Sequence, residues 1–198
     1  MMETFEQKLA RFLNEKVDLV EYDTHWDRMF LEEKRHLESC LPSVLVKRIE
    51  HFGSTAVPRM PAKPIIDILV EVTSLERTKN EIVPILESQG YEYFWRASFG
   101  EATPPFYAWF IKRDTSGNRT HHIHMVEKNY KHWDRLLFRD YLRENAVVAK
   151  EYADLKMSLS RIYRNDRVRY TDEKTKFITR ITRIARSYYQ NANSSFDS

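Results

Sequence analysis

Residues 51–71 read HFGSTAVPRMPAKPIIDILVE, and this stretch decides the fold. It holds one of the chain's four glycines and an apolar run that carries acids. Ahead of it, Leu45 to Phe52 (LVKRIEHF) reads as a β-strand, and Gly53-Ser54 breaks that strand where a β-branched residue would continue it. After a linker rich in Pro and small residues, Ile65 to Val72 forms a second strand. Its two-residue period puts Asp67, Leu69 and Glu71 on one face. An acid inside such a run is costly unless it is paired, and at functional sites the partner is a metal ion or a phosphate-bound cation. The alternative for Asp67 is a structural one: a strand-end acid bonded to nearby backbone, or to Lys63 or Arg59.

Working outward, Asp23 or Thr24 caps a predicted helix that carries Trp26, Phe30, Leu37 and Leu41 and ends at Pro42. That helix is expected to cover one sheet face. A shorter amphipathic helix is predicted over 3–14 from Phe5, Leu9, Phe12 and Leu13. Past the second strand, Thr73 and Glu76 form a capping-box pattern for a helix running to about Gln89, weakened by Pro84 and stopped by Gly90. Tyr91 to Trp95, Phe106 to Lys112 and Arg119 to Glu127 read as strands, the last two joined as a hairpin through DTSGN (114–118). From Asn129 onward three helices follow, near 130–144, 146–164 and 171–189, with Thr171 as the cap of the last and a polar, frayed tail from Asn191. The fold class is α+β: a mixed sheet of four or five strands over residues 1–127 and a C-terminal helical layer over 128–190, in one domain.

Composition narrows the function. At 198 residues, 42% hydrophobic and 13% aromatic, the chain can bury a core. No apolar run reaches membrane-spanning length and no signal-peptide pattern opens the sequence, so the expected location is cytoplasmic, with no membrane partner. One cysteine, Cys40, rules out an intramolecular disulfide and a cysteine-rich zinc site. The net charge of +3 is uneven: residues 1–127 hold 16 Lys and Arg against 20 Asp and Glu, whereas residues 128–198 hold 16 against 9. A basic helical wall beside an acid-bearing strand suits an anionic ligand with its metal; it is also what a solvated surface looks like. No nucleic-acid-binding motif accompanies it.

His122 and His124 alternate on one strand face, where two imidazoles can approach a common ion, and His121 points the other way. With one carboxylate such a pair favours a transition metal over magnesium. Hydrogen-bonded core histidines are the alternative. Gly53-Ser54 between two strands is placed to approach a phosphate, with Lys63, Arg59 and Arg48 as candidate charge partners. Lys174, near the start of the last helix, is a further candidate phosphate contact.

The segment GSTAVPRMPAKPIIDI (53–68) resembles the signature of the GrpB family, and HHIHMVE (121–127) with LLFRDYLREN (136–145) resembles that family's other two landmarks. The likeness runs from about Val20 to about Tyr188. It implies a nucleotidyltransferase-like core, whose pattern is a Gly-Ser turn, a spacer and a strand with two acids at alternate positions. Gly53-Ser54 and Asp67 fit this pattern, with twelve residues between Ser54 and Asp67. Leu69 stands where the second acid belongs. Glu71, about 13 Å from Asp67 along a strand, cannot take its place.

What the resemblance implies is nucleotide binding, with transfer of a nucleotidyl group to an unknown acceptor. Asp67 would be the catalytic acid on a divalent ion, Mg or Mn. Gly53, Ser54, Lys63 and the family-landmark Arg139 would hold the phosphates; His122 and His124 are a family landmark to which the resemblance gives no role, and they join as candidate metal ligands on their strand spacing alone. Two other readings stay open. One is a binding module for a nucleotide or coenzyme A precursor, since GrpB-like domains occur fused to dephospho-CoA kinase. The other is a metal-dependent hydrolase built on Asp67, His122 and His124.

Overall fold

The computed structural model describes residues 16–98 and 104–194. The helix expected over 3–14 lies outside the described residues. Five strands form one mixed sheet: β1 (Val46–Phe52), β2 (Ile66–Val72), β3 (Glu92–Ala97), β4 (Phe106–Arg113) and β5 (Arg119–Val126), in the order β1-β2-β5-β4-β3. Only β2 and β5 run parallel; the other three neighbouring pairs are antiparallel. Asp114 shapes the predicted β4–β5 hairpin turn, its carboxylate accepting the backbone N–H of Ser116 (2.9 Å) and Asn118 (2.8 Å).

One face of the sheet packs on α1 (His25–Cys40) and on a helical segment in three pieces, Leu75–Arg77, a π-helical turn Thr78–Ile82 and Val83–Ser88, together α2. Ile66, Ile68 and Val70 of β2, Ile123 and Met125 of β5, and Phe110 of β4 meet Trp26, Leu37, Ile82 and Leu86 there, all at 2% exposure or less. The other face carries a smaller apolar cluster around Phe52, Leu69, Trp109 and Leu136. It lies beneath α3 (Asp134–Glu144), α4 (Ala146–Ile162) and α5 (Arg167–Ser194), the C-terminal helical layer. The linker between β1 and β2 is part of that layer's packing: Val57 and Met60 meet Leu142, Tyr152, Phe177 and Ile181.

The expected helix caps shift. Thr24 makes no side-chain cap; Asp23 accepts the His25 N–H at 2.8 Å instead. Ser74 rather than Thr73 caps α2, taking the Arg77 N–H at 3.2 Å, while Glu127 of the β5 end accepts the Leu75 N–H at 2.8 Å. Pro84 follows the π-helical turn, in which the Val83 N–H reaches back five residues to the Thr78 carbonyl. Gly90, at φ 86°, ends α2 as its sequence position predicts. Thr171 is not a cap. α5 begins a turn earlier at Arg167, where Asp166 accepts the Arg169 N–H at 3.0 Å, and Thr171 donates its hydroxyl to the Arg167 carbonyl inside the helix. The helix also runs into the expected frayed tail, as far as Ser194.

Candidate functional site

Strand register assembles the site. Asp67 of β2 stands opposite Phe52 on β1 and His122 on β5; two residues on, Leu69 stands opposite Glu50 and His124, and His124 opposite Trp109 on β4. Because alternate residues share a face, Asp67, His122, His124 and Trp109 all point toward the helical layer. Tyr107 of β4, paired with Arg96 of β3, extends that face to the sheet edge. Between this face and α3, α4 and α5 lies a cavity of about 440 Å³, within the range of small-molecule sites.

Gly53 and Ser54 line the cavity beside Asp67. Gly53 has φ 76°, and a Cβ placed on it would lie 2.5 Å from an Asp67 carboxylate oxygen, so both backbone angle and space demand glycine. The His122 ring donates from Nδ1 to the Asp67 carboxylate at 3.1 Å. His122 Nε2 is buried with no hydrogen-bond partner. His124 Nδ1 lies 3.2 Å from the Tyr107 hydroxyl. One donor atom each from Asp67, His122 and His124 lies within 4.8 Å of the others.

Protonation suits metal ligation. Burial pushes His122 down to about 4 against the pull of Asp67, and burial with the nearby Arg135 charge holds His124 well below the usual imidazole range, so both rings are neutral at pH 7. Burial alone would raise Asp67, but the His122 hydrogen bond and the positive charges of Lys63 and Arg135 outweigh it and hold the carboxyl low. Two neutral imidazoles and a carboxylate form a donor set for manganese, iron or zinc rather than magnesium. Closing them on one ion, with bonds of about 2 Å, needs movements of about an ångström. Leu69, fully buried and packed in the apolar cluster with Phe52, occupies the position of the missing second acid.

Cations dominate the rest of the lining. Lys63 comes from the linker, Arg96 from β3, Arg135 from α3, Lys156 from α4, and Arg167 and Lys174 from α5. Arg167, Tyr170, Lys174 and Ile178 repeat at helical spacing on one face of α5, as Arg135, Phe138 and Leu142 do on α3. Against these six cations the cavity sets one carboxylate, Asp67. Burial, chiefly, brings Lys156 down to about 7 and Lys174 to about 8, and depresses Lys63 strongly with added repulsion from Arg167 and Lys174. Cations are crowded here past what Asp67 can balance, and a bound anion would relieve them.

The sequence reading placed Gly53, Ser54, Lys63, Asp67, His122 and His124 together, and all six line this cavity. Arg139 does not reach it. A residue beyond Phe138 is rotated about 100° around α3, and Arg139 turns to β1. There it forks onto Asp140 (2.7 and 3.0 Å) and donates to Glu50 (3.1 Å) and the His51 carbonyl (2.6 Å). Although Asp140 is the next residue along the helix, the long guanidinium of Arg139 reaches back to it. Arg48 also lies elsewhere, bonded to Glu50 at 2.9 Å, and Arg59 is an exposed linker residue. Arg96, Arg135, Lys156 and Arg167 escaped the sequence reading. The one legible signal was helical phase: Arg135 precedes the apolar Phe138 and Leu142 by three and seven residues.

Comparison with known proteins now bears on this site. The model of the family described as "GrpB protein" matches residues 16–183. The chain belongs to the GrpB family. This GrpB chain is 38% identical over 167 residues to the glutamate-rich protein GrpB of Alkalihalophilus pseudofirmus, covering 84% of this chain and 94% of that protein. The crystal structure of the conserved protein GrpB from Enterococcus faecalis superposes with a TM-score of 0.75 at 33% identity, over 87% of this chain and 99% of that one. The Cid1 poly(U) polymerase matches only weakly, at TM-score 0.42 and 17% identity over 77% of this chain and 49% of that one. Likeness that weak carries no activity across. Among the described residues, no helix is long and apolar enough to cross a membrane.

Proposed function

We propose that this GrpB chain binds a nucleotide in the sheet-to-helix cavity, phosphates toward Lys63, Arg167 and Lys174, with a divalent transition ion on Asp67, His122 and His124. The observation that carries this reading is the imbalance of Lys63, Lys156, Arg167 and Lys174 against Asp67 in a cavity of ligand size. Gly53 and Ser54 let a phosphate approach the backbone. Lys63, Arg167 and Lys174 neutralise it, and Asp67 and the two imidazoles orient the ion. When bound, the ion draws charge from the phosphate oxygens. The reaction this arrangement serves is nucleotidyl transfer to an acceptor, and the cations beside the phosphates balance the leaving pyrophosphate. Manganese replaces the magnesium alternative because two of the three donors are nitrogens.

A thermal-shift series with ATP, GTP, CTP and UTP, each alone and with Mn, Mg or Zn, tests this. A nucleotide at about a hundred times its dissociation constant stabilises by about 2.7 kcal/mol, which for a chain of this size is roughly 5 to 10 °C. The expected result is a shift of that size with nucleotide and Mn together, exceeding either alone. No shift with any nucleotide would overturn the reading. The convergence of Asp67, His122 and His124 within 4.8 Å also favours a second reading, a metal-dependent hydrolase of phosphorylated small molecules. Stabilisation by zinc alone marks that outcome, and stabilisation by nucleotide indifferent to metal marks a non-catalytic binding module.

A further inference from the structure

The six cations of the cavity do not form one patch. Lys63, Lys156, Arg167 and Lys174 gather where the linker, α4 and α5 close over β2. Arg96 and Arg135 are grouped instead around Tyr107, His124 and His132, whose charge states both arginines influence. Arg96 is on β3, three strands from β2 in the sheet order, or about 14 Å at the usual strand spacing. Between the two groups lie Asp67, His122 and His124 and the rings of Tyr107 and Trp109. A carboxylate between two positive clusters repels any anion that would run continuously from one to the other.

We propose that Arg96 and Arg135 form a second anion subsite, separate from the nucleotide phosphates, that holds a carboxylate or phosphate group of the acceptor. Both guanidinium groups lie over aromatic rings, Arg96 at 4.9 Å from the Trp109 centroid and Arg135 at 5.4 Å from that of Phe52. Stacking of this kind pre-sets a planar donor fork, the geometry that grips oxyanions. No carboxylate forms an ion pair with either arginine among the described residues. Burial lowers Arg135, opposed by the nearby Tyr107 and Asp67, with the Arg96 charge adding to the lowering, while the repulsion on Lys63 comes chiefly from Arg167 and Lys174. The inference rests on the nucleotide reading for the identity of the other subsite.

Isothermal titration at low ionic strength tests it with inorganic phosphate and, separately, succinate, added to protein already saturated with nucleotide and manganese. One further anion per chain is expected. Arg96→Gln with Arg135→Gln should weaken it roughly tenfold or more and leave nucleotide affinity within about twofold. Lys174→Gln should weaken nucleotide instead. Binding of phosphate alone assigns a phosphorylated acceptor, and of succinate alone a carboxylate one. Should the double variant not fold, Arg96→Gln, at an exposed position, replaces it. Competition between phosphate and nucleotide, or loss of nucleotide affinity in the arginine variants, would overturn the second subsite while leaving nucleotide binding intact. If no nucleotide binds at all, the function proposed above fails, and phosphate titration of the free protein still decides whether Arg96 and Arg135 hold an anion.

Discussion

At the scale of single residues, Gly53 and Asp67 determine each other. The backbone at Gly53 turns through φ 76° where the Asp67 carboxylate leaves no room for a side chain. Gly53→Val adds a β-branched side chain to both constraints, and a strained backbone position of this kind costs about 1–3 kcal/mol. Its urea midpoint should fall accordingly and its nucleotide affinity should be lost; parental values for both would mean that the turn serves neither fold nor ligand. Gly53, Ser54 and Asp67 were legible because a glycine after an apolar strand and an acid within one are local anomalies. Arg139 misled for the opposite reason. Its family landmark marks a segment of α3, and which side of that helix meets the cavity depends on packing against β1, which no local pattern records.

Among the elements, the strands were legible to within one or two residues at either end, because alternation and turn residues mark them directly. The start of α5 was not. Thr171-Asp172-Glu173 imitates a cap with an acidic first turn, whereas the operative cap, Asp166, sits in the charged run RNDR. The difference matters to the site, since the extra turn carries Arg167 into the cavity and sets the phase of Lys174. Loss of an N-cap costs about 1 kcal/mol, so Asp166→Ala should lower stability by that amount and weaken anion binding. Thr171→Val should cost less. Equal effects of the two in chemical denaturation would return the cap to Thr171. Arg96 and Arg135 were illegible for a related reason: the cavity is defined by the pairing of β3, β4 and β5 and by the docking of α3, long-range facts with no local signature.

For the whole molecule, the basic charge excess of the C-terminal half acquires a location. The helices supply Arg135, Lys156, Arg167 and Lys174 to one cavity over the sheet, so its charge is a property of the layer arrangement. This has a pH signature. Lys156 and Lys174, at about 7 and about 8 in the folded chain, lie below the 10.5 of an unburied lysine. Between those values and 10.5 the unfolded chain binds more protons than the folded one, so this contribution makes stability rise with pH across that window. Anion affinity should fall over the same window as the ammonium charges vanish. At the acid end, burial places His51 at about 4 and His132 at about 3, below the usual 6.5, so the stability they support is lost as pH falls from 6.5 toward those values. Denaturation and nucleotide titration at pH 6.5 and 9 check the alkaline limb; an affinity independent of pH would remove the buried lysines from the site.

Whether Asp67 holds a metal that the bound nucleotide shares is read directly from nucleotide affinity with and without manganese in the parent and in Asp67→Asn, alongside their melting points. Asparagine keeps the shape of the side chain and loses its charge. Manganese should tighten nucleotide binding to the parent roughly tenfold or more, and Asp67→Asn should abolish this gain while its ligand-free melting point stays near the parent's. A variant that melts earlier yet keeps the full manganese-dependent gain would contradict a shared metal, leaving Asp67 a structural acid paired with His122.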